Sequence, residues 1–384
     1  MSFKVHKKFG VYIHWPFCQA KCPYCDFNSH VRQNIDQNDW ANGYVKSLNY
    51  WAEKTNNHKI SSVFFGGGTP SLMSERTLDK IMNTLSKLWK FDDKIEITME
   101  ANPTSVESGK FNSYKTSGVN RLSMGVQALN DKDLKRLGRL HTVKEAKEAF
   151  NIACLNFNRV SFDLMYGRQY QTVKDWELEL SLAVSMAVDH LSLYQLTVES
   201  NTRFGELFSK GKLLGLPKDD LSVEFYNLTQ DMTEKNAVPA YEISNHAKIG
   251  EECQHNLNYW DGGDFLGIGP GAHGRLTIKG NRIRTEAPLN PELWLKYIDK
   301  NNYDSFVLEK LSANETAEEY VIMALRLTKG LDINRYIELT GSNFLTEVQN
   351  ELVINGLIEL NNHSLKVTKA GKVFTDHIIK KLLC

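Results

Sequence analysis

Three cysteines, Cys18, Cys22 and Cys25, fall within eight residues in the segment CQAKCPYC. Thiolates are the usual ligands of zinc and of iron–sulfur clusters. A structural zinc site wants four ligands, and His14 and His30 are the candidates for the fourth. Three thiolates with no fourth partner suit a [4Fe–4S] cluster, with one iron left open to a small ligand. The Cys-x-x-x-Cys-x-x-Cys spacing on a single loop favours the cluster; zinc and a redox-active thiol pair are the alternatives. The other cysteines are scattered. Cys154 falls with Val143, Ala146, Phe150 and Ala153 on a helical face and reads as a small buried hydrophobe. Cys384 is the last residue and reads as frayed.

The elements that must position the cysteines follow a regular order. Candidate strands are Phe9–His14, Ser62–Gly66, Lys94–Glu100, Val119–Gly125, Arg159–Tyr166 and His190–Val198. Helical periodicity separates them: Trp40, Tyr44, Leu48 and Trp51 share one face, as do Leu78, Ile81, Met82, Leu85 and Trp89. Capping boxes, Thr142 with Glu145 and Ser312 with Glu315, mark two helix starts. Six β–α units predict right-handed crossovers onto a parallel sheet, either a partial (β/α) barrel or a doubly wound sheet. Polar residues recur where the strands finish: Gly66-Gly67-Gly68-Thr69, Glu100, Gly125-Val-Gln127, Asp163, and Tyr194 with Gln195. Ligands of parallel α/β folds lie at the carboxyl ends of the strands, so these residues predict a pocket shared with the cysteine loop. The triple glycine lets a ligand approach the backbone, but it is neither a P-loop nor a dinucleotide fingerprint.

Residues 201–310 read as irregular and rich in Gly and Pro. Residues 311–384 read as helices followed by a hairpin, Leu357–Leu360 and Leu365–Thr368, in winged-helix-like order. The expected division is therefore 1–200, 201–310 and 311–384. A length of 384 residues fits two or three domains. Hydrophobic residues at 41% and charged residues at 24% are ordinary for a folded protein. The 46 basic and 46 acidic residues cancel, which argues against nucleic acid as a partner. Lys310–Cys384 is also balanced, with nine of each sign, so an accessory packing unit is expected there rather than a DNA reader. The longest apolar stretch is broken by Asp189 and His190, and the N-terminus lacks a signal-peptide core; a cytoplasmic location is expected.

The segment YIHWPFCQAKCPYCDF resembles the signature loop of the radical S-adenosylmethionine superfamily. GGGTP, MEANP, RLSMGVQ, LGRLH and FDLMYG are similar to successive motifs of its coproporphyrinogen dehydrogenase and HemW branch. The resemblance implies a partial (β/α)6 parallel barrel in which Cys18, Cys22 and Cys25 hold a [4Fe–4S] cluster whose open iron binds S-adenosylmethionine. It further implies that Tyr12, Gly67, Gly68, Thr69 and Glu100 contact that cofactor. Tyr24, Gln127, Arg139 and Asp163 match positions that contact a second molecule of it in the dehydrogenase. The stretch Gly167-Arg168-Gln169-Tyr170-Gln171-Thr172 departs from the pattern, which has a Leu-Pro pair after the glycine.

Two features separate this chain from the decarboxylating members of that branch. Phe27 stands where they have a fourth cysteine, and only seventeen residues precede Cys18. The segment Cys253-Gln-His255-Asn256-Leu-Asn-Tyr259-Trp260 resembles the haem-associated motif of HemW-like proteins. Imidazole and thiolate are both axial ligands of haem iron, so His255 is the preferred ligand and Cys253 its competitor; Tyr259 and Trp260 offer flat apolar surface, and Asn256 a polar contact. A packed, hydrogen-bonded histidine is the bland alternative. His273, in the glycine loop that follows, lies near the adenosyl ligand or is structural. The expected function is a haem chaperone that passes haem to apo-haemoproteins, including membrane-associated respiratory proteins reached peripherally. An oxygen-independent coproporphyrinogen III oxidase is the alternative, and a zinc-stabilised binding protein the third reading.

Overall fold

The protein is described by a computed structural model over residues 8–55, 57–186, 189–342 and 347–383; Cys384 lies outside the described residues. All six expected strands form: β1 (Phe9–Trp15), β2 (Lys59–Gly67), β3 (Lys90–Ala101), β4 (Arg121–Gln127), β5 (Arg159–Tyr166) and β6 (His190–Gln195). They pair in parallel in sequence order. The principal helices between them are α1 (Gln37–Thr55), α2 (Glu75–Leu88), α3 (Val143–Asn156) and α4 (Val173–Met186). Both capping boxes are made, at Thr142 with Glu145 and at Ser312 with Glu315.

The two faces of the parallel strands differ in chemistry. Val11, Ile13, Val63, Phe65, Ile97, Met99, Leu122, Met124, Val160, Phe162, Leu191 and Leu193 belong to one buried cluster, shared with Trp40, Tyr44, Leu48 and Trp51 of α1 and Leu78, Ile81 and Leu85 of α2. The alternate positions are Ser62, Glu96, Thr98, Arg121, Ser123, Ser161, His190 and Ser192, all buried. Successive strand residues point to opposite faces, so the outer face packs on helices while the inner face is polar. A parallel sheet covered on both faces ordinarily reads as a continuous apolar run. Here the alternation marks an interior that keeps polar groups and a cavity.

Residues 201–310 are not irregular, contrary to the sequence expectation. They form α5 (Asp219–Lys235), β7 (Asn245–Ala247), α6 (Gln254–Trp260), β8 (Asp264–Ile268), β9 (His273–Ile278), β10 (Asn281–Glu286), α7 (Pro291–Asp299) and β11 (Val307–Lys310). β8 pairs in parallel with β1, so the parallel sheet has seven strands. β9, β10 and β11 extend that edge as an antiparallel meander, and β7 closes the other edge against β6. Gly262, Gly269 and Gly271 adopt φ of 66°, 115° and 73° between these short elements. Such turns interrupt the hydrophobic period before it can be read.

The C-terminal part packs around its own apolar cluster, which includes Tyr320, Val321, Leu331, Leu352, Ile358, Leu365 and Ile378. It runs α8 (Ala313–Ala324), β12 (Leu331–Asp332), α9 (Ile333–Thr340), α10 (Glu347–Ile354), the hairpin β13 (Ile358–Leu360) and β14 (Ser364–Val367), and α11 (Thr375–Leu383). The helices-then-hairpin order is present, with β12 added to the hairpin and α11 closing the unit. Among the described residues no helix is long and apolar enough to cross a membrane.

Cys154 is exposed rather than buried. The stripe of α3 facing the core runs through Ala146, Ala149, Phe150 and Ala153 and ends at Phe157. Cys154 is turned about 100° away from Ala153 by the helix period.

Asp264 anchors the seventh strand. Its side chain is fully buried and accepts from Thr277 N at 2.7 Å and Thr277 Oγ1 at 2.9 Å, and it pairs with buried Arg282. Removing one partner of a buried pair strands the other charge. Asp264→Ala is expected to lower unfolding free energy by about 3–5 kcal/mol, measured by urea denaturation monitored by circular dichroism.

Candidate functional site

The carboxyl ends of the parallel strands enclose a cavity of about 360 Å³. Cys18, Cys22, Tyr24, Cys25, Gly67, Gly68, Thr69, Glu100, Gln127, Arg139 and Asp163 all line it. Tyr12 does not. It lies beneath, with Oη 3.1 Å from His14 Nδ1, and its ring occupies the space that a Cβ on Gly66 would need.

The glycines are needed for packing. A Cβ on Gly67, at φ 112°, would stand 2.6 Å from the His14 ring, and one on Gly68 would stand 2.6 Å from Phe17 O. Gly68 N donates to Trp15 O and Thr69 N to Phe17 O, at 2.7 and 2.8 Å. The end of β2 is thereby joined to the residues leading into the cysteine loop, and Thr69 Oγ1 donates to Cys18 Sγ at 3.5 Å. Arg139 fastens the loop from the other side. Its guanidinium reaches Cys22 Sγ at 3.5 Å, Asn102 Oδ1 at 2.6 Å and Gly125 O at 2.7 Å.

The three cysteines are free, half-buried thiols around one cavity. Burial pushes Cys18 and Cys25 up from the ordinary thiol value, partly offset by hydrogen bonds from Thr69 to Cys18 and from the Phe27 backbone to Cys25. Among the described residues no three His, Cys, Asp or Glu side chains converge on one point as ligands of a single ion do. A polynuclear cluster asks for a different arrangement, because each thiolate binds its own iron. The histidines weighed as a fourth zinc ligand are engaged elsewhere: His14 Nε2 with Asn28 O at 2.9 Å, and His30 Nε2 with Asn28 Oδ1 at 3.1 Å. The donor set therefore fits a [4Fe–4S] cluster better than zinc.

The cavity floor is acidic. Glu100 Oε2 accepts from Gly67 N at 3.2 Å, and Asp163 lies in the facing wall. Burial, then the charge of Asp163, raises Glu100 to about 8; burial raises Asp163 to about 6. Gln127 sits at the end of β4 with φ 72°, a left-handed conformation that costs about 1–3 kcal/mol for a residue with a Cβ. The next residues are held by Leu129 N, which donates to Glu179 Oε1 at 2.5 Å. Glu179 also pairs with buried Arg168. The residue that departs from the family pattern thus supports the loop behind Gln127.

Sequence reasoning missed Asn102 and Glu96. Asn102 lines the cavity and bridges Arg139 to Thr69; its place in Ala101-Asn102-Pro103, just after Glu100, was the available signal. Glu96 lies at the opposite, amino-terminal end of the barrel and had no local signal.

The segment from Cys253 to Trp260 lies at that amino-terminal end. His255 is 6% exposed, with Nδ1 3.0 Å from Ser62 Oγ and its ring stacked on Phe64 at 5.3 Å. Burial lowers its pKa to about 4, so it is a neutral imidazole. Asn256, Tyr259 and Trp260 are half-buried, and the rings of Tyr259 and Trp260 lie 4.7 Å apart. Cys253 is fully enclosed and donates to Glu96 Oε1 at 3.4 Å. Burial and the charge of Glu96 push its thiol up to about 12, which disfavours it as a thiolate ligand. His273 is half exposed beside Glu286 and does not line the cavity.

A carboxyl group whose pKa is raised by folding favours the folded state while protonated. That contribution is complete below the ordinary carboxylate value and is lost as pH rises through the raised one. The melting temperature of the ligand-free protein is therefore expected to fall from pH 6 to pH 8. In Glu100→Gln the part of the fall nearest pH 8 should flatten, read by differential scanning fluorimetry.

Residues 12–183 match the family model described as the radical SAM superfamily, and residues 311–374 match the HemN C-terminal domain. Over 97% of its length and 97% of the relative, the chain is 35% identical to a protein of Haemophilus influenzae named heme chaperone HemW. It is 33% identical to the Escherichia coli protein of the same name, covering 97% and 98% of the two chains. The fold matches the solved structure of Escherichia coli coproporphyrinogen III oxidase (HemN) with a TM-score of 0.83, at 19% identity over 98% of this chain and 90% of that one. With this fold and these full-length relatives, the chain belongs to the radical SAM superfamily and, within it, to the family of the heme chaperone HemW.

Proposed function

We propose that the protein carries haem and passes it to apo-haemoproteins, on a scaffold that holds one [4Fe–4S] cluster and S-adenosylmethionine. The observation that supports this most directly is the neutral, enclosed imidazole of His255 among aromatic rings, in a chain whose full-length relatives bear the name heme chaperone. Haem iron takes a neutral imidazole nitrogen, and the porphyrin prefers apolar contact to water.

Cys18, Cys22 and Cys25 hold the cluster, with Thr69 and Arg139 fixing the loop. A cluster so bound keeps one iron free for the amino and carboxylate groups of S-adenosylmethionine. Gly67, Gly68 and Glu100 take the cofactor at the strand ends, and Tyr24, Gln127 and Asp163 form the facing wall. Tyr12 supports this site from beneath. His255 is the haem ligand, with Asn256, Tyr259 and Trp260 beside the ring. Since His255 is buried, haem enters only when the Gln254–Trp260 helix shifts from the barrel. The acceptors include membrane-associated respiratory proteins, met from the cytoplasmic side.

The anaerobically reconstituted protein is expected to retain haem through gel filtration with a Soret band and to leave coproporphyrinogen unconsumed. His255→Ala should weaken haem binding at least about tenfold, or ~1.4 kcal/mol, whereas Cys253→Ala should keep it. Cys18→Ala should lose cluster absorbance and keep haem. A wild-type protein that binds no haem and decarboxylates coproporphyrinogen overturns the reading in favour of the oxidase.

A further inference from the structure

We propose that Arg335, Lys329 and Tyr320 of the C-terminal unit are positioning residues that latch the Asp261–Gly263 turn, so that the Gln254–Trp260 helix leaves the barrel for haem only when this latch is released. This rests on the function proposed above and names what governs entry of haem. The two ends of the helix are held differently. At its start the barrel holds it: Glu96 Oε1 accepts from His255 N at 3.2 Å, and Ser62 Oγ lies 3.0 Å from His255 Nδ1. At its end the chain turns through Asp261, Gly262 and Gly263 into β8. Arg282 of β10 fastens this turn to the barrel, donating from Nη2 to Gly263 O at 2.9 Å and to Gly262 O at 3.3 Å. A helix that shifts while β8 stays in place must therefore bend the chain at the glycine pair, where Gly262 already has φ 66°. Hinges are a few element-terminal residues that absorb such a backbone change.

The C-terminal unit packs directly on this hinge. Arg335 of α9 donates from Nη2 to Gly262 O at 2.9 Å, and Lys329 Nζ pairs with Asp261 Oδ1 at 2.9 Å. Tyr320 of α8 and Leu339 of α9 close the free side of Gly262: a Cβ there would stand 2.8 Å from Tyr320 Cδ2 and 3.5 Å from Leu339 Cδ1. The segment that carries Lys329 is seated on the barrel by Thr328, whose N donates to Tyr241 O and whose Oγ1 donates to Ala240 O, each at 2.9 Å. These contacts are largely polar, and the barrel and the C-terminal unit keep separate apolar clusters. Polar interfaces between units with their own cores permit relative motion. With the unit seated, Gly262 has no room to turn and His255 stays enclosed. With it lifted, the hinge is free. Haem binds the released form, so its apparent affinity scales with the fraction released.

The test combines stopped-flow haem association and equilibrium titration of the cluster-reconstituted full chain, under anaerobic conditions, with hydrogen exchange of the haem-free protein. Arg335→Ala removes the donor to Gly262 O and is expected to speed haem association and tighten haem binding at least about fivefold. Its amides 255–263 should exchange at least about fivefold faster, while those of β2 and β3 keep wild-type rates. Arg335→Lys keeps a cation able to donate to the same carbonyl and should stay within about twofold of wild type. Lys329→Ala removes an exposed pair and serves if Arg335→Ala does not fold; association and exchange should each rise about twofold. A merely structural role for these residues predicts the opposite sign, a looser protein that binds haem more weakly. Haem association or helix exchange that is unchanged or slower in the variant that folds overturns the inference and leaves the proposed function standing. A wild-type protein that binds no haem overturns both.

Discussion

A guanidinium enclosed in a protein has to be answered by carboxylates, and in this barrel that requirement organises the interior. Arg121 is 2% exposed on the inner face of β4. Removing such a charge from water costs several kcal/mol, recovered only where partners and hydrogen bonds are in place. Thr98 lies opposite it on β3, Ser161 takes one nitrogen, and Glu96 and Asp163 supply opposite charge from either end. The inner face is therefore a column of polar groups from the cavity floor to the Gln254–Trp260 helix. The outer face could be left apolar for the helices because the strand period separates the two.

The cavity depends on close approach as much as on chemistry. The end of β2 has no side chains at Gly66, Gly67 and Gly68, and the Tyr12 and His14 rings and the Phe17 backbone fill the room. That contact sets the height of the cysteine loop over the strand ends, and Arg139 sets its tilt by holding Cys22, Asn102 and Gly125 together. The result is three thiols around one space with the carboxyls of Glu100 and Asp163 among its lining, and with Phe27 and Leu140, 57% and 67% exposed, at its wall.

Much of this was legible in the sequence, for local reasons. The six first strands and both capping boxes are encoded within a few residues of themselves. Polar residues at strand ends named the cavity wall because all the parallel strands finish on one side. Depth was not legible. Tyr12 and Glu100 are both inward positions on neighbouring parts of the sheet, yet only Glu100 reaches the cavity, and His255 lies at the far end. Nor did anything local identify β8 as a partner of β1, since that pairing is made across some 250 residues. Arg168 looked like a departure from a pattern; only its buried pairing with Glu179 explains it.

The late arrival of β8 has a consequence for the birth of the chain. β1 is the first of the described strands to be synthesised, and one of its two neighbours, β2, follows within about sixty residues. Its other flank is covered only when Asp264–Ile268 has been made. Until then the nascent barrel presents Phe9–Trp15 as an uncovered edge, carrying large apolar side chains and unpaired backbone groups. Such edges recruit other chains, and long-range parallel pairing is slow to form. The ribosome-bound intermediate is thus most adhesive through the middle third of translation, and the strand that ends this stage follows directly on the Gln254–Trp260 helix.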